Sequence, residues 1–193
     1  MGTLGDLITS FAESIASGRI EIYNEFSLQH ELGVFLRRKL PGYKVQFERN
    51  VAFFFRSKMT FTKREIDISV FSPDLEDLRC AIELKYPRNG QHPEQMFSFC
   101  KDVAFAEELN AAGFSGTGLV IFADDHLFYR GSAEGIYGFF RGARPLHGRI
   151  QKPTGSKDHE VVVRGSYPVK WIPVSGSLMF AAIEIGNAKL PGP

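Results

Sequence analysis

Two short apolar runs with charges inside them constrain this chain more than anything else in its 193 residues. The first reads Glu65-Ile66-Asp67-Ile68-Ser69-Val70-Phe71, the second Cys80-Ala81-Ile82-Glu83-Leu84-Lys85-Tyr86. Both alternate with a period of two, which predicts strands with one buried face. Side chains at i and i+2 of a strand share a face, so Glu83 and Lys85 point the same way, opposite to Ile82 and Leu84. If the two strands pair as a hairpin through Ser72 to Leu78, Asp67 comes beside Glu83. Two carboxylates and one ammonium then converge, a set that suits a hard divalent cation and a phosphodiester. An ordinary amphipathic hairpin, with Glu83 and Lys85 in water, gives the same pattern.

The surrounding pattern supplies the other elements. Leu4, Leu7, Ile8, Phe11 and Ile15 recur at helical spacing up to Gly18, an amphipathic helix that packs on the domain or docks a partner helix. Ser27 reads as the N-cap of a helix from Leu28 to Leu40, with Leu28, Leu32, Phe35 and Leu36 as its stripe and Glu31 at the border of that stripe. Tyr43 to Arg49 alternates as a strand, and the apolar Val51 to Phe55 either continues it or starts another. Pro93 opens a long helix to about Asn110, with Met96, Phe99, Val103 and Ala106 on one face. Gly118 to Ala123 is a continuous apolar run, the mark of a central strand buried on both faces. Beyond it, Ala133 to Phe140 suits a short helix, Arg141 to Lys157 a loop, and Glu160 to Arg164, Val169 to Val174 and Leu178 to Ile185 strands. The whole reads as one domain: a helix over 1–22, a core over 23–126 and a strand-bearing extension over 127–193.

The core order is therefore helix, strand, strand, strand, helix, strand. With Asp67 on the second strand and Glu83-Leu84-Lys85 on the third, the chain resembles the PD-(D/E)XK nuclease superfamily across roughly Glu25 to Asp125, about half its length. Ile66 stands where the family name has proline. The resemblance implies an α/β, restriction-endonuclease-like αβββαβ core with a mixed central sheet flanked by helices. It implies that Asp67 and Glu83 bind magnesium, that Lys85 assists the attacking water, and that Glu31 of the preceding helix completes the metal shell. The activity implied is metal-dependent hydrolysis of DNA, in preference to RNA. A catalytically silent module of the same fold, binding nucleic acid or a partner protein, is the alternative.

The physical case for such a site stands beside the resemblance. Magnesium takes carboxylates, waters and substrate phosphate as ligands, and manganese is expected to substitute. The metal lowers the pKa of its water and neutralises charge on phosphorus. Two carboxylates beside Lys85 favour its ammonium form, hence an orienting and electrostatic role. Gln95, in the first turn of the long helix, is a candidate substrate contact or a solvated residue. Arg88 and Asn89, in the loop leaving the second run, are candidate phosphate contacts, though turn chemistry explains that loop equally well. Glu25 and Glu65 are possible supporting carboxylates, and Asp102 reads as solvated. Arg141, Arg144, His147, Arg149, Lys152 and Lys157 form a basic, glycine-spaced stretch that suits a phosphate backbone or a plain surface loop.

Composition narrows the field further. A net charge of +1 argues against a chain that is basic all over, though not against a local patch. Two cysteines without metal spacing argue against a disulfide framework and for a reducing cytoplasm. No signal peptide and no membrane-length apolar run is seen. Phosphate-loop, dinucleotide, nucleophile-elbow and zinc-protease motifs are absent. A homodimer fits a reaction that cuts both strands of a duplex.

Overall fold

The computed structural model describes residues 3–55, 60–88, 90–155 and 159–186. Four helices and eight strands alternate along them: α1 (Leu4–Ala16), α2 (Glu25–Lys39), β1 (Lys44–Asn50), β2 (Glu65–Phe71), β3 (Leu78–Lys85), α3 (His92–Ala112), β4 (Gly116–Ala123), α4 (Tyr137–Phe140), β5 (Leu146–Gln151), β6 (Glu160–Tyr167), β7 (Ile172–Ser175) and β8 (Leu178–Ile185).

Helix starts follow their caps. The Thr3 hydroxyl accepts from the Asp6 amide while the Asp6 carboxylate accepts from the Thr3 amide, which satisfies N–H groups that the start of α1 otherwise leaves open. Leu4, Ile8, Phe11 and Ile15 of α1 are buried, so this helix packs on the domain. α2 begins three residues earlier than expected. Asn24 caps it, and Ser27 closes the cap from inside the helix instead of starting it. Both residue types cap well, and only the three-dimensional bonds distinguish them. Gly33 lets α2 lie close on β1, because a methyl group there would collide with the Phe47 ring.

Six strands form one mixed sheet in the order β1-β2-β3-β4-β8-β7. β1, β2 and β3 are an antiparallel meander, β4 lies parallel to β3 after the α3 crossover, and β8 and β7 extend the sheet antiparallel. The segment after β1 neither extends it nor starts a strand: Val51–Phe53 is a single 3-10 turn capped by the Asn50 side chain. α1 and α2 cover one face of the sheet, over Ile68, Val70, Ile82 and Leu84. α3 covers the other, with the β5–β6 hairpin and α4 completing that layer around Leu119, Ile121, Ala181 and Ile183. The expectation that β2 and β3 bury one face is therefore overturned, because α3 closes over what the alternation marks as the polar side.

In the C-terminal third, α4 begins at Tyr137 and not Ala133, β6 runs on to Tyr167 and not Arg164, and β7 begins at Ile172 and not Val169. The stretch expected as a loop contains β5, whose Leu146 and Ile150 are buried while His147 and Arg149 face outward. Lys157 lies outside the described residues. β6 is pinned to α3 by Glu107, whose carboxylate accepts from the Arg164 amide at 2.9 Å, the Gly165 amide at 2.6 Å and the Tyr167 hydroxyl at 2.9 Å. Among the described residues no helix is long and apolar enough to cross a membrane.

Candidate active site

β2 and β3 pair with Ile68 opposite Ile82 and Ser69 opposite Ala81. One step further, Asp67 lies across from Glu83. The Asp67 amide donates to Glu83 Oε1 at 3.4 Å, and the Asp67 carboxylate accepts from the Leu84 amide at 2.7 Å. Since Ile68, Val70, Ile82 and Leu84 belong to the core under α1 and α2, Asp67, Glu83 and Lys85 project to the α3 side. There they meet Asp102, expected to be solvated and in fact buried, and Lys63, which sequence reasoning did not single out. Asp102, from the middle of α3, lies 2.9 Å from Lys63 Nζ and 3.4 Å from Lys85 Nζ. Lys63, just before β2, also bonds Glu83 Oε2. Glu83 is 0 % exposed and Asp102 2 %, so this is a buried charge cluster and not a solvated strand face.

Burying like charges together has a measurable consequence. Desolvation, reinforced by Asp67 and Asp102, pushes the Glu83 carboxyl up to about 8. Burial also raises Asp67, opposed by Lys85, the Leu84 N–H and Lys63. For Lys85, burial works against the ammonium, but Asp102, Glu25 and Asp67 outweigh it and hold the group above its ordinary value. Lys63 is raised in the same way, with burial overcome by Glu83 and Asp102. Three carboxyl groups, Asp67, Glu83 and Asp102, thus share two ammoniums, Lys63 and Lys85.

α2 contributes from the sheet's other side, past the ends of the strands. Glu25 Oε1 is 3.9 Å from Lys85 Nζ, and Glu25 Oε2 accepts from the Tyr86 amide at 3.1 Å. Gln29, one turn on, donates to the Asp67 carbonyl at 2.9 Å. Glu31, half-buried, sits about 200° around the helix from Gln29 and about 60° from Leu28, at ~100° per residue, so it borders the apolar stripe. The helix carboxylate that the structure brings to Lys85 is Glu25, expected to lie just outside the helix and in fact its first residue.

The remaining candidates divide. Gln95 donates to the Gly90 carbonyl and so braces the turn before α3. Arg88 donates to the Tyr23 carbonyl at 2.9 Å and lies 3.7 Å from Asp124, tied to the protein on both sides. Asn89 lies outside the described residues. Glu65 is exposed at the start of β2. Arg141 bonds the Ser132 and Leu127 carbonyls, which makes it a loop brace. A usable signal for Asp102 was present: it stands three residues after Phe99 and four before Ala106, within the apolar stripe of α3. Lys63 follows no periodic segment, and nothing in its neighbourhood singled it out.

Whether these residues suit a divalent cation rests on their chemistry. Among the described residues no group of three or more His, Cys, Asp or Glu side chains stands arranged around a common point for a metal ion. The donor set is nevertheless that of a hard cation: carboxylate oxygens from Asp67 and Glu83, short of positive charge. Asp102 Oδ2 is buried without a hydrogen bond, facing Lys85. A cation beside Asp67 and Glu83 would take the place that Lys63 holds on Glu83, and the oxygen donors fit it. No protein-family model, curated protein or solved structure matches the chain.

Proposed function

We propose that this protein hydrolyses phosphodiester bonds in DNA with a divalent cation, as a nuclease of the PD-(D/E)XK type. The observation that carries the reading is the convergence of Asp67, Glu83 and Lys85 beneath α3. They stand in a helix-strand-strand-strand-helix-strand frame, α2-β1-β2-β3-α3-β4. Forcing two carboxylates together out of water costs stability, and a fold has no structural need of it.

Asp67 and Glu83 would hold magnesium, which activates a water and neutralises charge on the phosphoryl group. Lys85, kept as an ammonium by Asp102, Glu25 and Asp67, orients that water or steadies the growing negative charge. Water oxygen bonds to phosphorus, one ester P–O bond breaks and the leaving oxygen takes a proton. Asp102 is a positioning residue: it holds Lys85 and Lys63 in place and touches no substrate in this scheme. The helix carboxylate role passes to Glu25.

Incubation of supercoiled, linear, nicked and branched DNA with magnesium or manganese tests the reading. Wild type is expected to cleave, and Glu83→Ala or Lys85→Ala to lose about 100-fold or more while keeping the wild-type circular dichroism spectrum. Equal behaviour of all three proteins across the panel rejects it. One observation favours a second reading: Lys63 already neutralises Glu83. On that reading the cluster is a closed ion-pair network in a catalytically silent DNA-binding module. Its mark is metal-independent DNA binding by a wild type that never cuts.

A further inference from the structure

We propose that the cleft between α4 and β5 is a binding site for the phosphate backbone of DNA. It is a cavity of about 640 Å³ whose lining includes Arg144, His147, Arg149 and Lys152 over a floor of Phe139 and Ile150, with no acidic residue lining it. In a chain of net charge +1, Arg144, Arg149 and Lys152 bring three formal positive charges to one concavity, with the His147 imidazole beside them. The cations sit on a strand and its approaches, not on a free loop. Gly148, at φ 84°, breaks the register of β5 against β6, and His147 and Arg149 both face outward while Leu146 and Ile150 anchor the strand in the core. The His147 ring is fixed by its contact with the Gly165 carbonyl at 2.6 Å. Arg144 lies over the Phe139 ring at 4.2 Å and donates to the Gly135 carbonyl at 2.8 Å, so its guanidinium is oriented. Two of the four are braced by carboxylates from outside the cleft, Arg149 by Glu160 and Lys152 by Glu94 at 3.6 Å. Fixed cations of this kind contact phosphates and set register without reading sequence.

The cleft is tied to the helix that covers the carboxylate cluster. Glu94, in the first turn of α3, bonds both Lys152 and Thr154. Asp102 lies eight residues further along α3, about 12 Å at ~1.5 Å per residue, or some three to four base-pair steps of ~3.4 Å. The inference rests on the nuclease reading for naming DNA as the ligand, but not for the site itself.

The test measures binding without cutting. Fluorescence anisotropy of a labelled 30-base-pair duplex is followed in EDTA over a salt series, for wild type, Arg149→Gln/Lys152→Gln and a control pair, Arg38→Gln/Lys170→Gln, that removes the same charge elsewhere. The control residues are exposed and do not line the cleft. The cleft pair is expected to weaken binding tenfold or more, and to lower the slope of log affinity against log salt by about 1.8, at ~0.9 per phosphate contact. The control pair is expected to stay near wild type. Arg144→Lys serves as a milder variant, because it keeps the charge and loses the oriented fork. Equal weakening by cleft and control pairs, or no binding by wild type, overturns the proposal. If wild type never cleaves but the cleft pair alone loses affinity, the nuclease reading falls and the binding site stands. If wild type cleaves and the cleft pair binds like wild type, only the site falls.

Discussion

The two faces of β2 and β3 are built from the same two runs of sequence and obey opposite rules. Ile68, Val70, Ile82 and Leu84 pack into an apolar core beneath α1 and α2. One residue away on each strand, Asp67, Glu83 and Lys85 pack against α3 with Asp102 and Lys63. Both faces are shielded from water, so burial alone does not explain the second. The first face is what a sheet needs in order to fold. The second has no such need, and this contrast is what places the proposed site on the α3 side.

Three measurements break or sharpen the contrast. The largest effect is expected on the apolar face: Ile82→Ala should cost about 2–5 kcal/mol in urea unfolding and leave DNA cleavage unchanged at temperatures where the variant is folded. On the charged face, Asp102→Asn leaves Lys63 and Lys85 without their shared counter-charge. Breaking a fully buried pair costs ~3–5 kcal/mol, and Lys63 is about a third exposed, so a loss of about 2 kcal/mol is expected. A cycle with Lys63→Met should show the double variant losing less than the two single losses added; strict additivity shows that the pair does not couple. The third is a pH dependence. Between the ordinary carboxyl value near 4.5 and the raised value of about 8, folded Glu83 keeps a proton that the unfolded chain has released. Stability therefore falls as pH rises through that window, by at most about 1.4 kcal/mol per pH unit. Glu83→Gln removes this slope. The stability gap between variant and wild type, read from melting in EDTA at pH 5 to 8, should widen in favour of the variant as pH rises.

Sequence periodicity conveyed the frame well. β2 and β8 lie where alternation places them, and α3 and β4 lie within two residues of expectation. Strong period-two and apolar signals come from local sterics and need no partner to be read. The pairing of Asp67 with Glu83 was legible too, because a short hairpin connection fixes register. What escaped was set by contacts between distant segments. Asp102 looks solvated when counted as a charge and buried when counted by its place in the helix stripe. Glu25 and Glu31 differ by where α2 begins, a matter settled by Asn24 and Ser27. β5 hides in a Gly- and Pro-rich stretch, because two buried residues and a left-handed glycine hold it as a strand only once β6 lies alongside.

Glu107 bears on what the free side of β6 can pair with. A strand whose amides point outward is a template on which a second chain can lay its backbone. On β6 two of those donors, Arg164 and Gly165, already answer to one helix-borne carboxylate. The side chain that fastens the hairpin to α3 thereby also blunts an edge, and its tether and its protection against edge-to-edge association are a single device.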